Sequence, residues 1–287
     1  MCPLQALVES VRGMLARHHL VNFIRICNAQ ETPFNQNYFV HWGSDHVSVL
    51  DQGREVQIKL DPSSGGGIKS KQAYNSGVFK LKIKTPQHAN GIVTTFYVRI
   101  SPENRPEGAH SELDFELLGQ NGPPYKLNTN VFAEDGGNRE QQFKLWFDPT
   151  TTFHEYKMIW NQYQIVFFID GIPIRVFKNY IKIRERYPKP QMYAHATLWN
   201  STQWLGQVNW SQGPFYANFR DFTIDGCSSP NSNSAECDSP KYYWNSPEFH
   251  QLDPKQEKEY EDAKRQNVIF DYCKSPSANN FPECKME

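Results

Sequence analysis

The chain is 287 residues long and carries 30 Lys and Arg against 31 Asp and Glu, for a formal net charge of −1. This balance excludes the basic excess of a nucleic-acid-binding domain, and no apolar run approaches the roughly 18 residues of a membrane span. An apolar fraction of 38% excludes disorder over the whole length.

Residues 1–30 contain Glu9, Arg12, Arg17 and Arg25 and show no apolar core of signal-peptide type. Further along, Val56, Ile58 and Leu60 alternate with Glu55, Gln57 and Lys59, and Phe79, Leu81 and Ile83 alternate with lysines. Both runs predict strands with one wet face. Residues 164–177 read as two apolar strands joined at Asp170-Gly171, a hairpin signal. Turn-rich clusters at 62–67, 102–108, 121–124 and 135–137 separate such runs. Many short strands with turns between them predict an antiparallel sandwich or barrel. Residues 228–240 read as a joint to a C-terminal extension. There Asp253, Pro254 and Gln256 predict a helix start, as N-cap, first helical residue and capping-box partner.

Four of the six cysteines fall in the last 61 residues, and Cys2 and Cys27 stand apart near the N-terminus. Cys227 with Cys237, and Cys273 with Cys284, would each close a short loop. The alternatives are free thiols or, more weakly, zinc, because no C-x-x-C pair is present.

The informative segment is His110-Ser-Glu-Leu-Asp-Phe-Glu-Leu-Leu-Gly119. In a strand, Glu112, Asp114 and Glu116 share one face, with His110, and Leu113, Phe115 and Leu117 share the other. Three consecutive same-face acids repel one another, and strands are depleted in Asp and Glu. A solvated acidic face, a metal site and a glycosidase carboxylate pair all fit this pattern. Spacing favours the glycosidase. Glu112 and Glu116 stand ~13 Å apart at Cα, and their side chains, leaning together, approach the ~5–5.5 Å of a retaining enzyme.

This segment resembles the catalytic strand of the plant xyloglucan endotransglucosylase/hydrolases in glycoside hydrolase family 16. The resemblance extends in order through residues 37–43, Asp51-Gln-Gly-Arg54, Thr129-Asn130-Val-Phe132, Gly137-Asn-Arg-Glu-Gln141, Leu145-Trp-Phe-Asp-Pro149, Leu198-Trp-Asn200, Val208-Asn-Trp-Ser211 and Tyr272-Cys273. It implies an all-β, concanavalin-like jelly-roll sandwich over 34–226 and an extension over 227–287 that contains a helix and two disulfides. Residues 1–33 match nothing in the family and are expected to lie outside the fold. The resemblance further implies Glu112 as nucleophile, Glu116 as proton donor and acid/base, and Asp114 as assisting carboxylate. No metal or organic cofactor is implied.

Substrate contacts implied by the family fall on Glu116, Asn128, Thr129, Asn130, Asn138, Arg139, Glu140, Trp199, Trp204, Leu205 and Gly206. Tyr74 is a further cleft expectation. The partners implied are a xyloglucan donor and a xyloglucan or oligosaccharide acceptor, with no nucleic acid and no membrane. The protein is expected to be a secreted, monomeric enzyme of the apoplast. Asn200 and Asn209 head glycosylation sequons. The chain also departs from the family pattern. Ser111 replaces Asp, Asn128 replaces Gln, only Leu205-Gly206-Gln207 separate Trp204 from Val208, and residues 274–281 lack an Arg. The shortened loop bears on acceptor binding, whereas the short 132–141 loop has the transferase form.

Overall fold

The computed structural model describes residues 31–101, 110–180, 186–228 and 234–286. Cys2, Cys27 and the turn expected at 102–108 lie outside them. Thr32–Glu287 form one compact unit. Thr32 already belongs to it, since its carbonyl accepts from Phe222 N at 3.0 Å and its hydroxyl meets that of Thr223 at 2.9 Å.

Fifteen strands are described: β1 Tyr38–Trp42, β2 Val47–Leu50, β3 Glu55–Leu60, β4 Gly66–Ser70, β5 Ser76–Lys84, β6 Ile92–Ile100, β7 Ser111–Leu118, β8 Lys126–Ala133, β9 Gln141–Lys144, β10 His154–Trp160, β11 Gln164–Ile169, β12 Ile172–Lys178, β13 Met192–Asn200, β14 Phe215–Cys227 and β15 Val268–Asp271. They form two antiparallel sheets, ordered β1-β4-β13-β6-β7-β8-β9-β15 and β12-β11-β10-β5-β14-β3-β2. This is the jelly-roll sandwich expected. Asp170 and Gly171 both take positive φ, 49° and 81°, the geometry of a two-residue type I′ hairpin. Gly66 and Gly67, read from sequence as turn, instead begin β4. A Cβ on Gly67 would sit 2.2 Å from the indole nitrogen of Trp42, so the strand can pass under that ring only as glycine.

The sheets meet over an apolar core in which the acidic strand takes full part. Leu113, Phe115 and Leu117 are buried. Phe115 packs edge-on against Phe167 of β11 and Tyr156 of β10, with ring centres 5.1 and 5.5 Å away. Burial of such side chains, on the order of 2 kcal/mol each, pins β7 and so fixes its other face.

The extension wraps from one sheet to the other. Trp244, Leu252 and Tyr260 cover Val78, Ile159, Val166 and Phe168 on the outer face of the seven-stranded sheet. The helix Pro254–Asn267 begins at Asp253 with the complete capping box expected. β15 then pairs with β9 and ends the eight-stranded sheet. Both expected disulfides, Cys227–Cys237 and Cys273–Cys284, are formed. Among the described residues, no helix is long and apolar enough to cross a membrane.

Candidate active site

The outward face of the eight-stranded sheet forms a groove of about 520 Å³, lined by Glu112, Asp114, Glu116, Asn128, Asn130, Phe132, Glu140, Gln142, Trp204 and Phe270. Register explains the set. Glu112 lies opposite Phe132, Asp114 opposite Asn130 and Glu116 opposite Asn128, which itself faces Gln142. On the other side, Glu112, Asp114 and Glu116 face Arg99, Tyr97 and Thr95 of β6.

The three carboxyl groups have unlike surroundings. Glu112 Oε2 meets His110 Nε2 at 2.5 Å and Arg99 Nε at 3.3 Å. A guanidinium and an imidazole nitrogen therefore stand against this carboxyl group, and the His110 ring is braced edge-on against Phe132. Asp114 is 6% exposed. Burial, then the charges of Glu112 and Glu116, then a hydrogen bond to Glu112 raise its pKa well above the ordinary carboxylate value. Asp114 accordingly keeps its proton and donates it to Glu112. Glu116 is pushed up to about 7 by burial and by the charges of Glu112 and Glu140, against a hydrogen bond with Asn128 that favours its ionised form. A carboxyl group set beside a guanidinium and a carboxylic acid that holds its proton to near neutrality are the pair of environments that glycosidic cleavage uses.

Amides set the acidic half of the groove. Gln142 Nε2 donates to Asn128 Oδ1 at 2.9 Å. Asn130 Oδ1 accepts from the backbone N–H of Val131 and Arg139 at 2.8 and 3.0 Å, and its amide nitrogen donates to Glu140 Oε1 at 3.3 Å. Glu140 is held in turn by its carbonyl, which accepts from Tyr272 N. Among the described residues, no group of three or more His, Cys, Asp or Glu is arranged to hold a metal ion.

The expected substrate contacts divide. Asn128, Asn130, Glu140 and Trp204 line the groove, and Trp204 is 46% exposed. Trp199 is half-buried, and by alternation with buried Leu198 it shares the groove face of β13. Asn138 is exposed with its amide turned to Gly136 O. Half-buried Leu205 and exposed Gly206 flank Trp204 without joining the lining.

Three residues belong elsewhere. Thr129 points into the core, where its hydroxyl accepts from Arg175 Nη1 at 2.9 Å. Arg139 is buried, with Nε donating to Glu283 at 2.6 Å and Nη1 to Asp135 at 2.9 Å. Tyr74 lies in the core against Phe79 and under Gly226. Both sequon asparagines, Asn200 and Asn209, are exposed. Phe132, Gln142, Phe270 and Arg99 were not foreseen. The alternation that selected the acids extends to Phe132 from Asn128 and Asn130, whereas Phe270 arrives 128 residues after its strand partner Gln142.

Residues 34–213 match the family model described as glycosyl hydrolases family 16. The xyloglucan endotransglucosylase/hydrolase protein 3 of Arabidopsis thaliana is 44% identical over 262 residues, 88% of each chain. The chain belongs to the xyloglucan endotransglucosylase/hydrolases of glycoside hydrolase family 16. Xyloglucan endotransglucosylase/hydrolase protein A of Phaseolus angularis is 42% identical over 85% of this chain and 84% of its own. Among solved structures, a Bacillus licheniformis β-glucanase superposes with a TM-score of 0.55 at 24% identity, over 66% of this chain and 93% of its own. The Crh5 transglycosylase gives 0.54 at 21%, over 72% and 90%. At these identities the sandwich fold is the shared feature.

Proposed function

We propose that this chain cleaves the β-1,4-glucan backbone of xyloglucan with retention and passes the glycosyl group to another xyloglucan chain end. The observation that carries the reading is the contrast within β7 between Glu112, held by Arg99 and His110, and Glu116, pushed up to about 7.

Glu112 attacks the anomeric carbon while Glu116 gives its proton to the departing glycosidic oxygen, and a glycosyl ester forms on Glu112. Asp114 orients Glu112 through its hydrogen bond before attack and releases that bond as the ester forms. Glu116, now ionised, takes the proton of an incoming sugar hydroxyl, whose oxygen displaces Glu112 and restores both groups. Water in place of the sugar gives hydrolysis. Asn128, Asn130, Glu140 and Trp204 hold the sugars around this point. The relatives' names support xyloglucan as both donor and acceptor. The protein acts as a secreted monomer of the cell wall, without metal or cofactor.

Incubation with xyloglucan and a labelled xyloglucan oligosaccharide tests the reaction. Label entering polymer without new reducing ends is expected, and new reducing ends without label would make the chain a net hydrolase. A mechanism-based glycosyl trap is expected on Glu112; a label on any other residue overturns the assignment.

A further inference from the structure

The outward face of the eight-stranded sheet is divided in charge on the two sides of β7. β1, β4, β13 and β6 contain no Asp or Glu, whereas β7 alone contains three and Glu140 lies just before β9. The same four strands carry His41, Lys69, His195 and Arg99. Register puts Lys69 opposite both Phe39 and His195, and His195 opposite Tyr97. Arg99 stands between Tyr193 and Glu112.

Lys69 is half-buried, with its ammonium 4.0 Å from the centre of the Tyr193 ring, and no carboxylate among the described residues pairs with it. The Arg99 side chain is 38% exposed, with its Nε 3.3 Å from Glu112 Oε2. Tyr97 and His195 stack with ring centres 4.8 Å apart. Burial and then the charges of Lys69, His41 and Arg99 hold His195 down at about 3, which marks the positive field here. Of the acids on β7, Glu112 faces Arg99, and Asp114, opposite Tyr97, has its pKa raised well above the ordinary carboxylate value by burial and by its acidic neighbours.

The acidic half meets sugar with amides and carboxylates, the usual partners of neutral hydroxyls. The other half offers fixed cations around aromatic faces. A half-buried ammonium without a counter-ion is a site whose charge is left for the ligand to neutralise. A guanidinium fork fits a planar or tetrahedral oxyanion.

We propose that the sheet face built by β1, β4, β13 and β6, beside the groove, takes the flank of glucan chains whose side sugars carry anionic groups, a uronic acid carboxylate or a sulfate ester, with Lys69 over Tyr193 as the pairing cation. The proposal rests on the reading of this groove as a glucan cleft. The donor is then not neutral xyloglucan alone but its acidic forms.

Three donors test it: neutral xyloglucan, xyloglucan whose galactose primary alcohols are oxidised to carboxylates, and lightly sulfated xyloglucan. Each is paired with one neutral labelled acceptor at low ionic strength. An anionic donor is expected to show kcat/KM about fivefold or more above the neutral one, the scale of one half-exposed ion pair. The preference is expected to shrink with added salt, to collapse in Lys69→Gln and to return in Lys69→Arg. The donor that shows it, carboxylated or sulfated, identifies the anion. Equal rates on all three donors, or a preference that survives Lys69→Gln, overturns the proposal while leaving the transferase reading standing. No transfer from any of the three overturns the glucan reading itself.

Discussion

Arg139 Nε and Glu283 Oε1 lie 2.6 Å apart with side chains 4% and 2% exposed, across 144 residues of sequence. One partner belongs to the loop that carries Glu140, the other to the C-terminal extension. Removal of one partner of a buried pair leaves the other charge stranded at a cost of about 3–5 kcal/mol. Asp135 remains beside Arg139, so Glu283→Ala is expected near the low end, with Tm lowered by roughly 8 °C in calorimetry. Glu283→Gln keeps an acceptor for Arg139 and should lose less.

Glu116 must be protonated for the first step, so kcat/KM should fall as pH rises through about 7. Glu140 raises this pKa by its charge and Asn128 lowers it by its hydrogen bond. Glu140→Gln should therefore move the basic limb to lower pH, and Asn128→Ala to higher pH. Pre-steady-state or initial-rate profiles against pH check both signs. The same shift makes the folded protein hold a proton that the unfolded chain releases at its ordinary value of 4.5. Stability carried by Glu116 is thus lost as pH rises from that value to about 7.

Asp114 is held in its neutral form and hydrogen-bonds Glu112. An amide can supply the same donor without charge. Asp114→Asn should accordingly retain about tenfold more kcat than Asp114→Ala, measured on one donor and acceptor pair.

Gly67 passes under Trp42, and a Cβ there would come within 2.9 Å of two ring carbons as well as 2.2 Å of the indole nitrogen. Trp42 is 38% exposed and shares the groove face by its pairing with Gly67. Gly67→Ala should displace the indole and raise KM for the donor several-fold with kcat little changed.

Period-two alternation was enough to find the acidic face of β7, the wet faces of β3 and β5, and the Asp170-Gly171 hairpin. Each of these is a local consequence of strand geometry. The same alternation, applied to β8, places Asn128 and Asn130 outward and Thr129 inward, which is where Thr129 lies. A motif taken as a block hides that distinction. Arg139 and Tyr74 could not be placed locally. Glu283 reaches Arg139 only once the extension has crossed the sandwich, and Tyr74 is buried by packing against β5 and Gly226. The charge division of the outward sheet face is likewise invisible along the chain, because β1, β4, β13 and β6 are adjacent only in space.

β15 has one consequence for the chain as a material. Its four residues occupy the outer flank of β9, satisfying N–H and C=O groups that would otherwise template pairing with a second molecule. The strand that replaces β9 at the margin is short, irregular between Val268 and Phe270, and closed off by Asp271, whose carboxylate turns back to accept from Cys273 N. The C-terminal segment is thus a built-in guard against edge-to-edge aggregation, and a chain ending before Val268 loses its colloidal stability along with part of its groove.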